Sequence, residues 1–198
     1  MNTNQEKLKL NLACGLCKLD GYINVDVNPE MNPDVVMDVA GVLPWKDEEV
    51  DEILFFHAIE HIESKYHFLI LDEFWRILKP EGKLILGYPE FSVCIKYWLD
   101  NYMGRREFWG NCIYGRQSDP KDFHVSPMHT PELVDLMKNT GFKDITTGEE
   151  AGNPQYTILK ALKGEKRMTY EESVGKLIFG DPKKLEVNVE DVNVMSGN

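Results

Sequence analysis

The stretch DEILFFHAIEHI, residues 51–62, decides how the fold of this chain is interpreted. Its apolar part, Ile53 to Phe56, has the length and composition of a buried strand. The strand leads directly into a segment with two histidines, His57 and His61. In α/β proteins ligands bind at the edge of the sheet where such strands end. We therefore expect residues 57–62 to line a ligand site.

The same stretch has a second interpretation as a metal site. His57, Glu60 and His61 match H-x-x-E-H, in which two histidines one helical turn apart hold zinc and the glutamate is the base. That chemistry requires the pattern to lie well inside a helix. Here His57 directly follows a strand, where the backbone has barely begun to coil. We expect no metal site in this geometry and keep a zinc-dependent hydrolase as the alternative function.

The neighbouring segments predict a mostly parallel α/β sheet. Strand-like runs cover 7–13, 22–27, 34–39, 51–56 and 83–88, with a helix at 64–78, a second helix at 130–141, and closing strands at 143–147 and 156–162. The first four strands end at Cys14-Gly15, Asp26, Asp38 and His57. Since the carboxyl ends of parallel strands meet at one edge, these side chains should converge on one site.

Composition limits the classes of function. With 198 residues the chain can bury one core, and its formal net charge of -11 argues against a nucleic-acid partner. Cys14 and Cys17 form C-x-x-C, but without a second close pair they indicate a turn rather than a zinc site. The chain has no apolar run of membrane length and starts with no signal-like segment. These features predict a cytoplasmic protein with a small-molecule substrate and no membrane partner, and they leave the oligomeric state open.

The pattern divides the chain into a domain and an extension. Residues 1–164 should form the domain, with an aromatic-rich, weakly periodic insertion at about 90–129 that we interpret as a lid. Residues 165–198 are charged and sparse in core residues. They predict a partly helical or flexible extension, with one docked helix at 168–179 and a loosely attached tail from 181.

Five motifs in order resemble those of class I S-adenosylmethionine-dependent methyltransferases. They are LNLACG (10–15), INVDV (23–27), DVAGVLPWKDEEVDEI (38–53), HAIEHI (57–62) and FWRILKPEGKLIL (74–86). The resemblance covers roughly residues 7 to 88, with weaker similarity at 113–124 and 130–142. It is strongest to a small subgroup often associated with saccharide and cell-surface biosynthesis. It implies a Rossmann-like sheet flanked by helices, an antiparallel last strand and S-adenosylmethionine as cofactor.

The first loop departs from the family pattern. Family members usually carry two or three glycines there, whereas this chain has only Gly15. Ten residues separate Gly15 from Asp26, and a helical crossover between parallel strands usually takes a dozen or more. We therefore expect an abbreviated first crossover without a helix.

The resemblance also implies roles for the strand-end residues. Gly15 would admit the methionine part of the cofactor, Asp26 would bind the ribose hydroxyls, and Asp38 with the Val39 amide would bind the adenine. Phe56, His57 and Ala58 would line the sulfonium end. The expected cofactor-binding set is Ala13, Cys14, Gly15, Asp26, Val27, Asp38, Val39, Phe56, His57 and Ala58.

Methyl transfer mainly requires alignment of the reacting atoms, but a hydroxyl acceptor must also lose a proton. A histidine suits that task near neutral pH. His124 is the first candidate as base or acceptor-orienting group, and His57 the second. His67 is expected at the surface or half-buried. Candidate acceptor-binding residues are Tyr114, Gln117, Asp119 and His129. The predicted function is methylation, at oxygen, of a small polar or saccharide acceptor, with a cofactor-binding protein without turnover as a further alternative.

Overall fold

The computed structural model of the chain describes residues 7–118, 121–150, 152–169 and 172. The chain divides into one unit at Met1–Arg167 and a second at Met168–Asn198. The helix expected at 168–179 and the tail from 181 lie outside the described residues, apart from isolated positions. Asp119 also lies outside them. Among the helices of the described ranges, none combines the length and apolar character needed to span a membrane.

Within the described residues the strands form one seven-stranded sheet, in the order β3-β2-β1-β4-β5-β7-β6. The pairs among β1 to β5 are parallel, and β7 runs antiparallel between β5 and β6. This confirms the predicted Rossmann-like sheet with its antiparallel last strand. The strands are β1 Lys9–Leu12, β2 Ile23–Asp26, β3 Val35–Val36, β4 Val50–Phe56, β5 Leu78–Pro89, β6 Phe142–Glu150 and β7 Asn153–Lys163.

Four α-helices accompany the sheet in the described part of the chain. They are α1 His67–Ile77, α2 Phe91–Leu99, α3 Arg106–Tyr114 and α4 Thr130–Thr140. Residues 13–22, all described, contain no helix, and a turn closes from the Cys17 amide to the Cys14 carbonyl at 2.9 Å. The first crossover is therefore abbreviated to a loop, as the spacing predicted.

Helices α2 and α3 were not expected from the weak periodicity of residues 90–129. Both have only nine residues, and they are separated by left-handed backbone at Asn101 and Met103. Their apolar faces pack on each other around Cys94 and Trp109, in a cluster separate from the main core. Short helices that bury side chains against each other produce no long stripe along the sequence, so periodicity did not reveal them.

The end of β4 packs against α1 on one face of the sheet and pairs with the end of β5. Phe55 packs edge-on against Phe74 of α1, with ring centroids 5.2 Å apart. On the other face, the ring of Phe56 lies over Gly87 of β5, where an added Cβ would come within 2.2 Å of a ring carbon. Gly87 also accepts the His57 amide at 2.7 Å. The absence of a side chain at Gly87 therefore sets the position of the strand end that carries His57.

Gly87→Ala should lower the free energy of unfolding by about 1–3 kcal/mol, because the new Cβ overlaps the Phe56 ring. Gly148→Ala is the matched control, since Gly148 also lies in a strand but has no atom within 4 Å of the added Cβ. It should change stability by less than about 0.5 kcal/mol. Urea unfolding of both variants measures the difference, and equal effects would contradict the packing argument.

Candidate functional site

The loop after β1 is shaped by the carboxylate of Asp26 at the end of β2. Its Oδ2 accepts the Gly15 amide and its Oδ1 accepts the Asn28 amide, both at 2.8 Å. Asp26 is only 8% exposed. An ionised carboxylate offers about four acceptor sites, so the two amides leave acceptor capacity for hydroxyl groups of a ligand.

The space beside Gly15 fits the cofactor that the resemblance implies. Gly15 has a φ of +51°, and no protein atom lies within 4 Å of the position its Cβ would take. Ala13 next to it is also left-handed, while Cys14 is buried and donates its amide to Val25 O at 2.9 Å. The backbone is thus exposed to open space at the sheet edge, where a ligand can approach it closely.

The ends of β2 and β3 form the outer part of the same edge. Asp38 is exposed, and its Oδ1 accepts the Ala40 amide at 2.9 Å. Val39 is buried, whereas Val27 is partly exposed beside the end of β2. This hydrogen bond uses only one carboxylate oxygen of Asp38, so the second oxygen is available to accept a hydrogen bond from a ligand.

His57 lies at the end of β4 between two carboxyl groups. Its Nδ1 is 3.8 Å from Glu60 Oε1 and its Nε2 is 3.7 Å from Glu150 Oε2. The ring packs edge-on against Tyr156 at 4.6 Å and keeps 40% of its side chain exposed. Partial burial lowers the pKa of His57 below its usual value, against an opposing effect of Glu150. At neutral pH the imidazole is mainly neutral and able to accept a proton.

The H-x-x-E-H pattern does not form a helical pair of histidines. His57 has a φ of +51°, and only Ile59–His61 form a short 3-10 turn, not an α-helix. His57 and His61 are therefore not stacked on one helix face, as argued from the preceding strand. The ring of His61 instead packs edge-on against His124, with centroids 4.8 Å apart.

His67 of α1 contacts the Ile59–His61 turn from one side. The sequence-based expectation for the exposure of this residue was wrong. His67 is buried rather than at the surface or half-buried. Its Nε2 lies 3.1 Å from Ile59 O and 2.9 Å from Ile62 O, and can donate to both carbonyls. The sequence placed His67 on a helix correctly. Its burial could not be predicted from helix periodicity, because the carbonyl oxygens that it contacts belong to the preceding loop.

The segment Phe123 to Ser126 fixes the turn from the other side. The amides of Val125 and Ser126 donate to Glu60 O at 2.9 and 3.1 Å. The Ser126 hydroxyl donates to Ile62 O at 2.6 Å. Two segments more than 60 positions apart in sequence are thereby joined at the site.

His124 is held beside His61 by this docking. Its amide donates to Tyr114 O at 3.1 Å, and its Nδ1 lies 3.2 Å from Cys112 O. Burial, followed by the repulsion of His61, lowers the pKa of His124 to about 4. His124 is therefore a neutral imidazole at pH 7, as a proton acceptor or ligand must be.

Gly115 permits the close approach of the His124 segment to the end of α3. It has a φ of +79°, and an added Cβ would lie 1.8 Å from Asp122 O. Of the acceptor-binding candidates, Tyr114 and Gln117 lie exposed on either side of it. His129 is farther along, with its Nδ1 3.8 Å from Glu132 Oε1 on exposed α4 surface.

Glu60 is the functional candidate that sequence reasoning missed. The sequence assigned it a catalytic role only as the base of the disfavoured zinc pattern, whereas in the structure it is 1% exposed. The Oε2 atom of Glu60 is buried and has no hydrogen-bond partner among the described residues. Burial raises the pKa of Glu60 to about 8. The only sequence signal was its position between two histidines and beside the apolar Ile59.

The buried Glu60 should make stability fall with pH in metal-free buffer. The pKa of Glu60 is about 8 in the folded state, against an ordinary value of 4.5. Between these two pH values the folded state therefore holds a proton that the unfolded state has lost. This stabilisation is complete below pH 4.5 and disappears as pH rises through 8. Between pH 6.5 and 8 the contribution should fall by about 1–2 kcal/mol.

Urea unfolding at several pH values tests this expectation, with Glu60→Gln as the non-titrating comparison. Above pH 6.5 the depressed pKa of His124 adds little, because both states then carry a mainly neutral imidazole. The wild-type protein should therefore lose stability relative to Glu60→Gln over this interval. A constant difference between the two proteins would contradict the raised pKa.

Comparison with known proteins relates part of the chain to methyltransferase domains. Residues 11–86 match the model of a methyltransferase domain family. A search of curated proteins found no match. A solved structure described as a SAM-dependent methyltransferase from Archaeoglobus fulgidus is 19% identical, with a TM-score of 0.57, over 79% of this chain and 86% of that one.

Two further solved structures share the fold. One, described as a possible histamine N-methyltransferase from Thermotoga maritima, is 22% identical, with a TM-score of 0.55, over 80% of this chain and 82% of that one. The other, described as a possible exported protein from Bordetella parapertussis, is 14% identical with a TM-score of 0.58. It matches 81% of this chain, which spans only 62% of that protein.

These likenesses concern the fold, whereas the family match covers β1 to β5, the strands whose ends carry Gly15, Asp26 and His57. The matched segment, the strand order and the open space at Gly15 agree with one another. Residues 11–86 are thus similar to a methyltransferase domain, and the sheet has the fold found in solved SAM-dependent methyltransferases.

Proposed function

We propose that the protein methylates an oxygen atom of a small polar or saccharide acceptor. The observation that carries this proposal is the pair of neutral imidazoles, His57 and His124, near the edge of the sheet that carries the cofactor loop. An oxygen acceptor needs a proton acceptor, and both rings are in the required protonation state at neutral pH. The formal net charge of -11 favours a small-molecule acceptor over a nucleic acid.

The chain's own residues bind and orient the cofactor. S-adenosylmethionine supplies an electrophilic methyl group when bound. Asp26 would bind the ribose hydroxyls with the acceptor capacity that the Gly15 and Asn28 amides leave free. Asp38 and the Val39 amide would bind the adenine. The remaining residues of the proposed cofactor wall are Ala13, Cys14, Val27, Phe56 and Ala58.

His57 is the proposed base for the acceptor hydroxyl. When its imidazole takes the proton it becomes positively charged between the Glu60 and Glu150 carboxyl groups, 3.8 and 3.7 Å away. Glu150 in particular can stabilise that charge, because its half-exposed carboxyl group lies 3.7 Å from Nε2 of the ring. His124 acts as the acceptor-orienting group.

The segment 90–129 is proposed to act as a lid over the acceptor. This segment contains His124. Its helices α2 and α3 form a separate apolar cluster that packs against Tyr156, and Tyr156 in turn packs against His57. Tyr114 and Gln117 precede His124 and expose their side chains. With Asp119 and His129 they make up the proposed acceptor-binding set.

Asp26→Ala should weaken S-adenosylhomocysteine binding by about 10- to 100-fold, the equivalent of losing charge-assisted hydrogen bonds. Calorimetric titration measures the change. Asp20→Asn, an exposed acid in the same crossover, is the matched control and should bind as the wild type does. Unchanged affinity in Asp26→Ala would remove the ribose assignment, and urea unfolding of the variant shows whether the loop itself has been lost.

His57→Gln should lower kcat by about 10²- to 10⁴-fold, the usual contribution of a general base, and this loss should be far larger than any weakening of S-adenosylhomocysteine binding. The measurement is transfer of labelled methyl to a panel of saccharides and polyols. In the wild-type protein the rate should rise with pH through the lowered pKa of His57, since the base must be deprotonated, and the variant should lack this rise.

Two outcomes of that assay would contradict the proposal. Methylation of amines but not of hydroxyl groups would overturn the oxygen acceptor. Cofactor binding without methylation of any compound in the panel would favour a binding protein without turnover.

A further inference from the structure

Glu60, His61 and His124 each present one potential ligand atom within 4.8 Å of the other two. We propose that these three side chains form a binding site for a divalent transition-metal ion, with Zn²⁺ as the expected occupant. This is not the H-x-x-E-H arrangement of the sequence, because His124 of the 123–126 segment takes the place of His57. Two histidines and one glutamate are a common ligand set of catalytic zinc, which keeps a further position open.

The orientation of the two histidines supports the proposal. His61 Nδ1 lies 3.0 Å from Phe123 O, and His124 Nδ1 lies 3.2 Å from Cys112 O. A carbonyl oxygen can only accept, so each Nδ1 carries the proton in these contacts. Each Nε2 then has an unprotonated lone pair. Metal-binding histidines are typically oriented in this way, with the second ring nitrogen donating to a backbone carbonyl.

The buried carboxyl group of Glu60 is the independent observation. Its Oε2 is fully buried and lacks a hydrogen-bond partner among the described residues. A buried polar atom without a partner is costly, and a carboxylate without one is costlier still. A metal ion at the centre of the cluster would supply the missing partner.

The backbone around the cluster is organised before any metal binds. Glu60 O accepts the amides of Val125 and Ser126, which connects the two segments that carry the ligands. His67 holds the carbonyls on either side of Glu60 from α1. The ligand side chains therefore lie on segments that are hydrogen-bonded to each other and to the core, which is the preorganisation a metal site requires.

The site has a consequence for the reaction proposed above, on which this step rests. Glu60 Oε1 also lies 3.8 Å from His57 Nδ1, so an acceptor hydroxyl bound to the metal would lie near His57. Metal binding lowers the pKa of a bound hydroxyl. The O–H bond then breaks, the proton moves to the His57 imidazole, and the electron pair remains on the acceptor oxygen.

The test is calorimetric titration of Zn²⁺ into chelator-treated protein, with elemental analysis of the stoichiometry. One Zn²⁺ should bind per chain. His61→Ala and His124→Ala should each weaken binding by at least about tenfold, and Glu60→Gln should do the same while keeping the shape of the buried side chain. Cys17→Ser is the control for binding by the exposed thiol of C-x-x-C and should not change the affinity.

Co²⁺ provides a second readout that needs no turnover. A tetrahedral or five-coordinate Co²⁺ complex should give visible absorption bands that His124→Ala removes and Cys17→Ser retains. The proposal is overturned if the wild-type protein binds no Zn²⁺, or if Cys17→Ser and not His124→Ala abolishes binding. S-adenosylhomocysteine titration of His124→Ala separates the two proposals, because cofactor binding should persist there whether or not the metal site exists.

Discussion

The candidate site depends on a few backbone carbonyls of the turn at Ile59–His61 and the residue after it. The carbonyl oxygens of Ile59 and Ile62 both lie within hydrogen-bond distance of His67 Nε2. The carbonyl oxygen of Glu60 accepts hydrogen bonds from two backbone amides of the 123–126 segment. A turn this short satisfies few of its own backbone groups, so these contacts supply the partners it lacks. The two amides join the 123–126 segment to the turn and thereby help to keep His124 beside His61.

The electrostatics of the cluster follow from its burial. His57 and His124 are kept neutral by desolvation, and Glu60 is kept protonated by the same cause up to about pH 8. These three groups are therefore largely uncharged at neutral pH, although the chain carries a formal net charge of -11. Neutral imidazoles do not repel a cation such as the sulfonium of the proposed cofactor. Burial thus makes the cluster compatible with the cofactor that we propose for this protein.

The sheet was predictable from the sequence because its signals are local. Each of the first four strands is a short apolar run followed by a glycine, an acid or a histidine, and the ten residues between Gly15 and Asp26 were too few for a helix. Helices α2 and α3 were missed, because each buries its apolar side chains against the other. The burial of His67 and Glu60 was missed because it depends on segments far away in sequence, which no pattern in residues 51–67 reveals.

The close approach at Gly115 has an evolutionary consequence. The end of α3 and the carbonyl of Asp122 leave no volume for even a methyl group, and the backbone there is left-handed. A relative that has a histidine at the position of His124, packed against the end of α3 in the same way, should therefore also have glycine at the position of Gly115. Relatives that have lost the histidine are free of that restriction, so the two positions should vary together across the family.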